Sequence, residues 1–178
     1  MLHVQTIESF DLPELQPYRT MRRQEEHDEQ GIFVAEGEKV VRRLLESNFS
    51  VRSVLLPEKW LADLKPLLQA RSDDIHVFVA EKKLLESLTG FSMYQGLLAV
   101  GKIPAPESLD EILARSPKPR LLVAVDGLSS AENLGALVRN CAAFNAHALV
   151  VGETSCSPFL RRAVRSSMGA IFIFRLRR

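Results

Sequence analysis

The chain has 178 residues, 46% of them apolar and 25% charged, which suits one large or two small globular units. No apolar run approaches the roughly 20 residues of a membrane span. The N-terminus does not read as a secretory leader, and Cys141 and Cys156 show no metal-type spacing, so reduced thiols in a cytoplasmic protein with no bound metal are expected. The net charge of +1 conceals an asymmetry: residues 1–114 carry 13 Lys/Arg against 19 Asp/Glu, residues 115–178 ten against three. Nine of those ten cations are arginines, the residue suited to gripping phosphate with two hydrogen bonds. A polyanionic partner and an ordinary solvated surface both fit this charge.

Residues 1–31 are polar, with a helix expected around Tyr18–Gln30. An alternation then begins. FVAEG reads as a strand, and EKVVRRLLESN as a helix burying Val40, Val41, Leu44 and Leu45. VRSVLLP is a second strand; WLADLKPLLQA is helical in pattern but carries Pro66 and is expected in one piece or two. IHVFVA is a third strand, EKKLLESLTG a helix stopped by Gly90, and YQGLLAVGK a fourth strand. This order predicts an α/β fold with a mainly parallel sheet covered on both faces. Residues 103–119, with four prolines around a short amphipathic patch, read as a linker between a domain over 1–102 and another over 120–178.

The second unit is read as strand LLVAVDGL, a helix from Asn133, strand ALVVG, a helix over Phe159–Ser167 and strand AIFIFRL. The strand–loop–helix at Asp126–Arg139 is where α/β proteins place ligand chemistry. Asn133 fits an N-cap, with Leu134, Leu137, Val138, Cys141 and Phe144 or Asn145 as the buried stripe. Arg139 lies at the edge of that stripe among Gly135, Ala136, Ala142 and Ala143, open to a bulky partner such as a sugar–phosphate backbone. A cap for Asn133 and a surface ion pair for Arg139 are the structural alternatives. Ser157 and Pro158 read as the start of the next helix, with Arg161, Arg162 and Arg165 late in it, serving its dipole or tracking phosphates. Gly169 ends that helix.

VAVDGLSSAENLGALVRNCAAFNAHALVVGE followed by SPFLRRAVRSSMGAIF resembles the opening of the SpoU (TrmH-like) RNA ribose methyltransferases of the SPOUT superfamily. The first family motif, Asn-x-Gly-x-x-x-Arg, falls on Asn133, Gly135 and Arg139, and a second stretch lines up over Arg165–Gly169. GIFVAEGEKVVRRLLES and YQGLLAV look like the start and end of the family's substrate-binding domain. The resemblance implies a small N-terminal α/β substrate-binding domain followed by the first part of a SPOUT-type (trefoil-knot) parallel α/β domain. It implies methyl transfer from S-adenosylmethionine to a ribose 2′-hydroxyl of rRNA or tRNA, with Asn133 and Arg139 catalytic. It also implies RNA contacts through Arg161, Arg162, Arg165 and Ser167, and a homodimer in the complete enzyme. Glu36, Lys39, Arg42 and Arg43 are weaker candidates for RNA contact in the first domain, where a solvated helix face is the alternative.

In the family, a Gly/Glu-rich loop and a Ser-Leu-Asn segment lie beyond the position of Arg178 and form the knot, most of the cofactor pocket and much of the dimer interface. The resemblance therefore reads this chain as lacking those motifs, which leaves an RNA-binding module or an inactive fragment as alternatives to an enzyme. IFIFRL is then expected as an interior strand without its neighbours, an apolar edge prone to self-association.

Overall fold

The computed structural model describes residues 1–89 and 96–177, and the chain forms two compact units, Met1–Ile103 and Pro104–Arg178. Gly90, the expected helix stop, and the start of YQGLLAV lie outside the described residues.

Unit 1 runs β1 (Leu2–Ile7), α1 (Gln16–Arg19), α2 (Gln24–Glu29), β2 (Ile32–Glu36), α3 (Glu38–Glu46), β3 (Val51–Leu56), α4 (Leu61–Gln69), β4 (Ile75–Ala80), α5 (Lys82–Thr89) and β5 (Leu98–Lys102). Its five-stranded sheet has the order β1-β4-β3-β5-β2; β1, β4 and β3 are parallel, whereas β5 runs antiparallel to both β3 and β2. The sheet is therefore mixed, with β5 inserted antiparallel between β3 and β2. Strand β1 falls within the segment read as polar: it is an edge strand exposed on much of its length, so it lacks the apolar run of an interior strand. The expected helix over Tyr18–Gln30 is split into α1 and α2. Pro66 is accommodated inside an uninterrupted α4.

Helix α3 buries Val40, Val41, Leu44 and Leu45, the stripe its spacing predicts. Its carboxyl end is fastened by Arg71, whose guanidinium donates to the carbonyls of Leu45 (2.6 Å), Ser47 (2.8 Å) and Phe49 (2.5 Å) and pairs with Asp73. These carbonyls follow or close the last turn, where backbone acceptors lack partners within the helix. On one face of the sheet, Val34, Leu55, Phe78, Leu98 and Val100 pack beneath Leu15, Tyr18 and Met21. Tyr18 is fully buried and its hydroxyl shares a 2.8 Å hydrogen bond with the Ser53 hydroxyl; burial holds its phenol far above the ordinary tyrosine range. His27 is buried beside Thr20 at 3.1 Å, and burial lowers its pKa below the usual 6.5.

Unit 2 comprises α6 (Leu109–Arg115), β6 (Leu122–Val125), α7 (Ala131–Ala143), β7 (Ala148–Val151), α8 (Arg161–Ser166) and β8 (Leu176–Arg177). The strands form a parallel three-stranded sheet in the order β6-β7-β8. Helix α6 occupies the proline-rich segment read as a linker; it starts with a capping box in which Ser108 Oγ accepts from Glu111 N and Glu111 accepts from Ser108 N.

The expected strand AIFIFRL is not one. Ala170–Phe172 is a buried 3-10 turn, and only Leu176 and Arg177 pair with β7. The cause is the backbone reversal at Met168 (φ 54°) and Gly169 (φ 82°), which sends Ile171 and Phe172 inward as a helical turn. Ile173 is left 78% exposed, so the apolar exposure expected along a whole edge is confined here to one residue.

Candidate RNA-facing site on the helix after β6

The carboxyl ends of β6 and β7 carry two loops that hold each other. Asp126 Oδ1 accepts from Thr154 Oγ1 at 2.5 Å, and Gly127 N donates to the same hydroxyl at 3.0 Å. Leu128 N donates to Ser155 Oγ at 3.2 Å, and Cys156 N to the Leu128 carbonyl at 2.9 Å. The Thr154 hydrogen bond is the main reason that the Asp126 carboxyl lies below its usual range. Gly152 makes the clasp possible, since a Cβ there would overlap the Asp126 carboxylate. Gly127, at φ 68°, takes the left-handed turn out of β6. The sequence missed this clasp; its signal was a glycine just beyond the end of each strand.

The clasp delivers the chain into α7. Its N-cap is Ser130, whose Oγ accepts from Asn133 N at 3.2 Å. Asn133 is thus the third residue of the helix and not its cap, because Ser130 already supplies the acceptor for the first turn. Its side chain is exposed. The buried stripe is Ala131, Leu134, Gly135, Val138 and Cys141; Leu137 is half-buried, and Phe144, expected in the stripe, is 77% exposed beyond the last turn. Burial raises the pKa of the Cys141 thiol. Gly135 is where α7 meets α8: a Cβ would overlap Ser166 Oγ and the Ala163 carbonyl. Ser166 Oγ also donates to the Glu132 carbonyl at 3.0 Å.

Arg139 is exposed, and among the described residues no hydrogen bond or ion pair holds its guanidinium. Helical geometry sets it about 9 Å along the axis and about 120° round from Asn133. It lies nearly in line with Glu132, seven residues back. Glu132 in turn pairs with Arg162 at 3.3 Å, so the structure brings Arg162 to the same side of α7 as Arg139.

The second predicted segment starts differently from its reading. Ser157 Oγ accepts from Phe159 N at 3.3 Å, and Leu160 N donates to the Ser157 carbonyl, forming a turn that delays the helix to Arg161. Arg161 and Arg162 therefore sit in the first turn of α8, where the dipole does not favour cations; only Arg165 lies in the last. Arg162 and Arg165 are exposed and Arg161 half-buried. Ser167 is fully buried, donates to the Val164 carbonyl at 2.7 Å and accepts from Gly169 N. It builds the turn after α8, and its burial corrects the expectation that it touches RNA.

In unit 1, Lys39 and Arg43 are exposed on α3, Glu36 is half-buried, and Arg42 lies 3.8 Å from Glu38 one turn back. That is the arrangement of a solvated helix face. Among the described residues, no cluster of metal-ligating side chains occurs and no helix is long and apolar enough to cross a membrane.

Two consecutive α/β units, the second a parallel sheet with an exposed asparagine and arginine on the helix after its first strand, define the class. Residues 13–99 match the MRM3-like substrate binding domain, and residues 120–178 match the SpoU rRNA Methylase family. The chain thus joins a match to a substrate-binding domain with a match to the SpoU methylase family over its second sheet. It is 32% identical over 173 residues to an uncharacterized tRNA/rRNA methyltransferase of Mycobacterium tuberculosis, covering 94% of this chain and 58% of that protein. A 23S rRNA (guanosine-2'-O-)-methyltransferase RlmB of Shewanella oneidensis is 35% identical over 92 residues, 49% of this chain and 37% of that protein. The AdoMet-bound rRNA methyltransferase from Sinorhizobium meliloti superposes with a TM-score of 0.78 at 22% identity, over 98% of this chain and 64% of that one. The SpoU methyltransferase AviRb from Streptomyces viridochromogenes, in complex with AdoMet, gives 0.77 at 23%, over 94% and 63%. These likenesses show a shared fold. The chain spans a little under 60% of the length of the mycobacterial relative it matches.

Proposed function

We propose that this protein serves methylation of a ribose 2′-hydroxyl in rRNA or tRNA, in the cytoplasm, with S-adenosylmethionine as the methyl donor. The observation that carries the reading is the division of labour within one motif. Gly135 is buried where two helices touch, whereas Asn133 and Arg139 project from the same helix into solvent.

A 2′-hydroxyl is a poor nucleophile and must be held in place and relieved of its proton. Arg139 carries a guanidinium that stays protonated at neutral pH, so it is a poor proton acceptor in itself. Its role is to grip the phosphate beside the reacting ribose, letting a phosphate oxygen take the proton while the hydroxyl is aligned. Asn133 orients the ribose through its amide. Arg161, Arg162 and Arg165 extend the positive surface towards flanking phosphates.

The loops after β6 and β7 spend the polar groups of Asp126, Gly127, Leu128, Thr154 and Ser155 on one another and do not frame a cradle for the cofactor. Asn133, Arg139 and the α8 arginines act on the RNA. The same observation favours a second reading, RNA binding without methyl transfer. The family resemblance further implies a second copy of the chain as partner, which sedimentation of the purified protein tests directly.

The separating experiment is methyl transfer from radiolabelled S-adenosylmethionine to rRNA and tRNA transcripts, run beside RNA binding. Turnover that falls on Arg139→Ala supports the enzyme. RNA binding without turnover or cofactor affinity assigns the chain to the second reading.

A further inference from the structure

We propose that a cleft in unit 1 receives one unpaired nucleotide of the RNA, its base laid against the His76 imidazole and its phosphate held by Arg52; the proposal rests on the RNA reading above. Along one face of the sheet, His3 of β1 stands opposite His76 of β4, His76 opposite Ser53 of β3, and Ser53 opposite Val100 of β5. The next residues on that face, Phe78, Leu55 and Leu98, lie under Leu15, Tyr18 and Met21. At the row of His76 this roof ends. A cleft of about 340 Å³ opens there, lined by Pro17, Gln30, Arg52, Ser53, Asp74 and His76 among others. It lies at the amino ends of the parallel strands, away from the carboxyl-end crevice where open α/β sheets hold cofactors.

The walls have the chemistry of a nucleotide site. The His76 ring is held in a run of near-parallel rings: His3 at 5.0 Å and 21°, Phe78 at 6.1 Å and 16°. An aromatic plane fixed in this way is a stacking platform, and unstacked RNA bases are recognised on such planes together with hydrogen bonds to their edges. His3 also shares a 2.9 Å hydrogen bond with Asp74, fixing the carboxylate at the cleft wall. Asp74 offers acceptors, and Gln30 both donors and acceptors, as a base edge requires. The floor makes no demand of its own, because the Ser53 hydroxyl is already bonded to Tyr18. Arg52 is exposed at the rim, and among the described residues no carboxylate pairs with it.

Size and charge narrow the ligand further. The volume is at the small end of ligand clefts and suits one nucleotide better than a duplex. Residues 1–103 carry 13 Lys/Arg against 16 Asp/Glu, and a net acidic surface disfavours a long phosphate-tracking groove. Stacking on a histidine ring beside a single guanidinium is what such a surface can offer.

The four histidines make the test site-specific: His76 lines the cleft and His3 stacks on it, His27 is buried elsewhere in unit 1, and His147 belongs to unit 2. The whole chain is titrated with a single-stranded RNA tetranucleotide while the imidazole proton resonances are followed by NMR. The expected result is movement of His3 and His76 with His27 and His147 still. His76→Ala should weaken binding about tenfold, within the range of one lost base stack. Arg52→Ala should reduce the slope of log affinity against log salt by about one. RNA binding with His3 and His76 unmoved would overturn the cleft and leave the RNA reading standing; absence of RNA binding would overturn both. Equal shifts at equal affinity from a free 5′-mononucleotide would assign the cleft to a soluble nucleotide and overturn its role in RNA recognition.

Discussion

Arg71 and Arg139 are the same side chain put to opposite uses. The first lies in unit 1 with its side chain 9% exposed, every arm of its guanidinium committed to carbonyls behind α3 or to Asp73. The second stands in solvent on α7, flanked by Gly135, Ala136, Ala142 and Ala143, with no partner of its own among the described residues. A guanidinium kept solvated and sterically accessible sacrifices little by meeting a phosphate. One that caps a helix end is unavailable to any ligand.

That contrast can be broken from both sides. Arg71→Met should destabilise unit 1 by about 3–5 kcal/mol, because several carbonyls and Asp73 lose their partner together; denaturant unfolding measures it, and RNA binding by the folded fraction should be unchanged. Arg139→Ala should leave the unfolding curve in place while any methyl transfer falls roughly 100-fold, the scale of losing one transition-state hydrogen-bond donor. Near-normal turnover in that variant would remove the role assigned to Arg139. Gly135→Ala pushes a methyl group into Ser166 and the Ala163 carbonyl and should cost about 1–3 kcal/mol, seen as a lower melting temperature.

Ser130→Ala should cost about 1 kcal/mol as a lost cap, whereas Asn133→Ala should cost clearly less and act on RNA affinity instead. The smallest effect is the pH response of unit 1. The folded pKa of His27 lies below 6.5, so under that pH the unfolded chain binds more protons and stability falls as the solution is acidified. The lowered carboxyls of Asp74, Glu111 and Asp126 start from ordinary values of 3.8 to 4.5, below the window from pH 7.5 to 5.5 in which the urea midpoint should drop. His27→Gln should flatten that slope.

Legibility in the sequence followed burial. Helix α3 was readable because four apolar residues at helical spacing face one sheet. Strand β1 was not, because an edge strand half in water alternates polar and apolar residues over too short a length to stand out. The start of α7 was misplaced by one turn because Ser130 and Asn133 are both good caps, and only geometry shows which one accepts the hydrogen bond. The last apolar run was read as a strand because IFIF has strand composition. The positive φ values at Met168 and Gly169, which turn it into a buried helical turn, leave little mark on composition.

Helix α6 was legible in principle: Ser108 followed three residues later by Glu111 is the capping-box pattern, but four flanking prolines give the segment the composition of a linker. At the site, the motif named Asn133 and Arg139. It could not show that Arg162 is tied to Glu132 or that Ser167 is sealed inside, since both depend on how α7 and α8 pack.

The hydroxyl shared by Tyr18 and Ser53 has an optical consequence. A phenol shut away from water in this manner keeps the spectrum of the protonated ring at alkalinities that ionise a solvated tyrosine. The tyrosinate band of Tyr18 should therefore rise only as α1 lifts from the sheet, giving the roof beside the His76 cleft a reporter that needs no label.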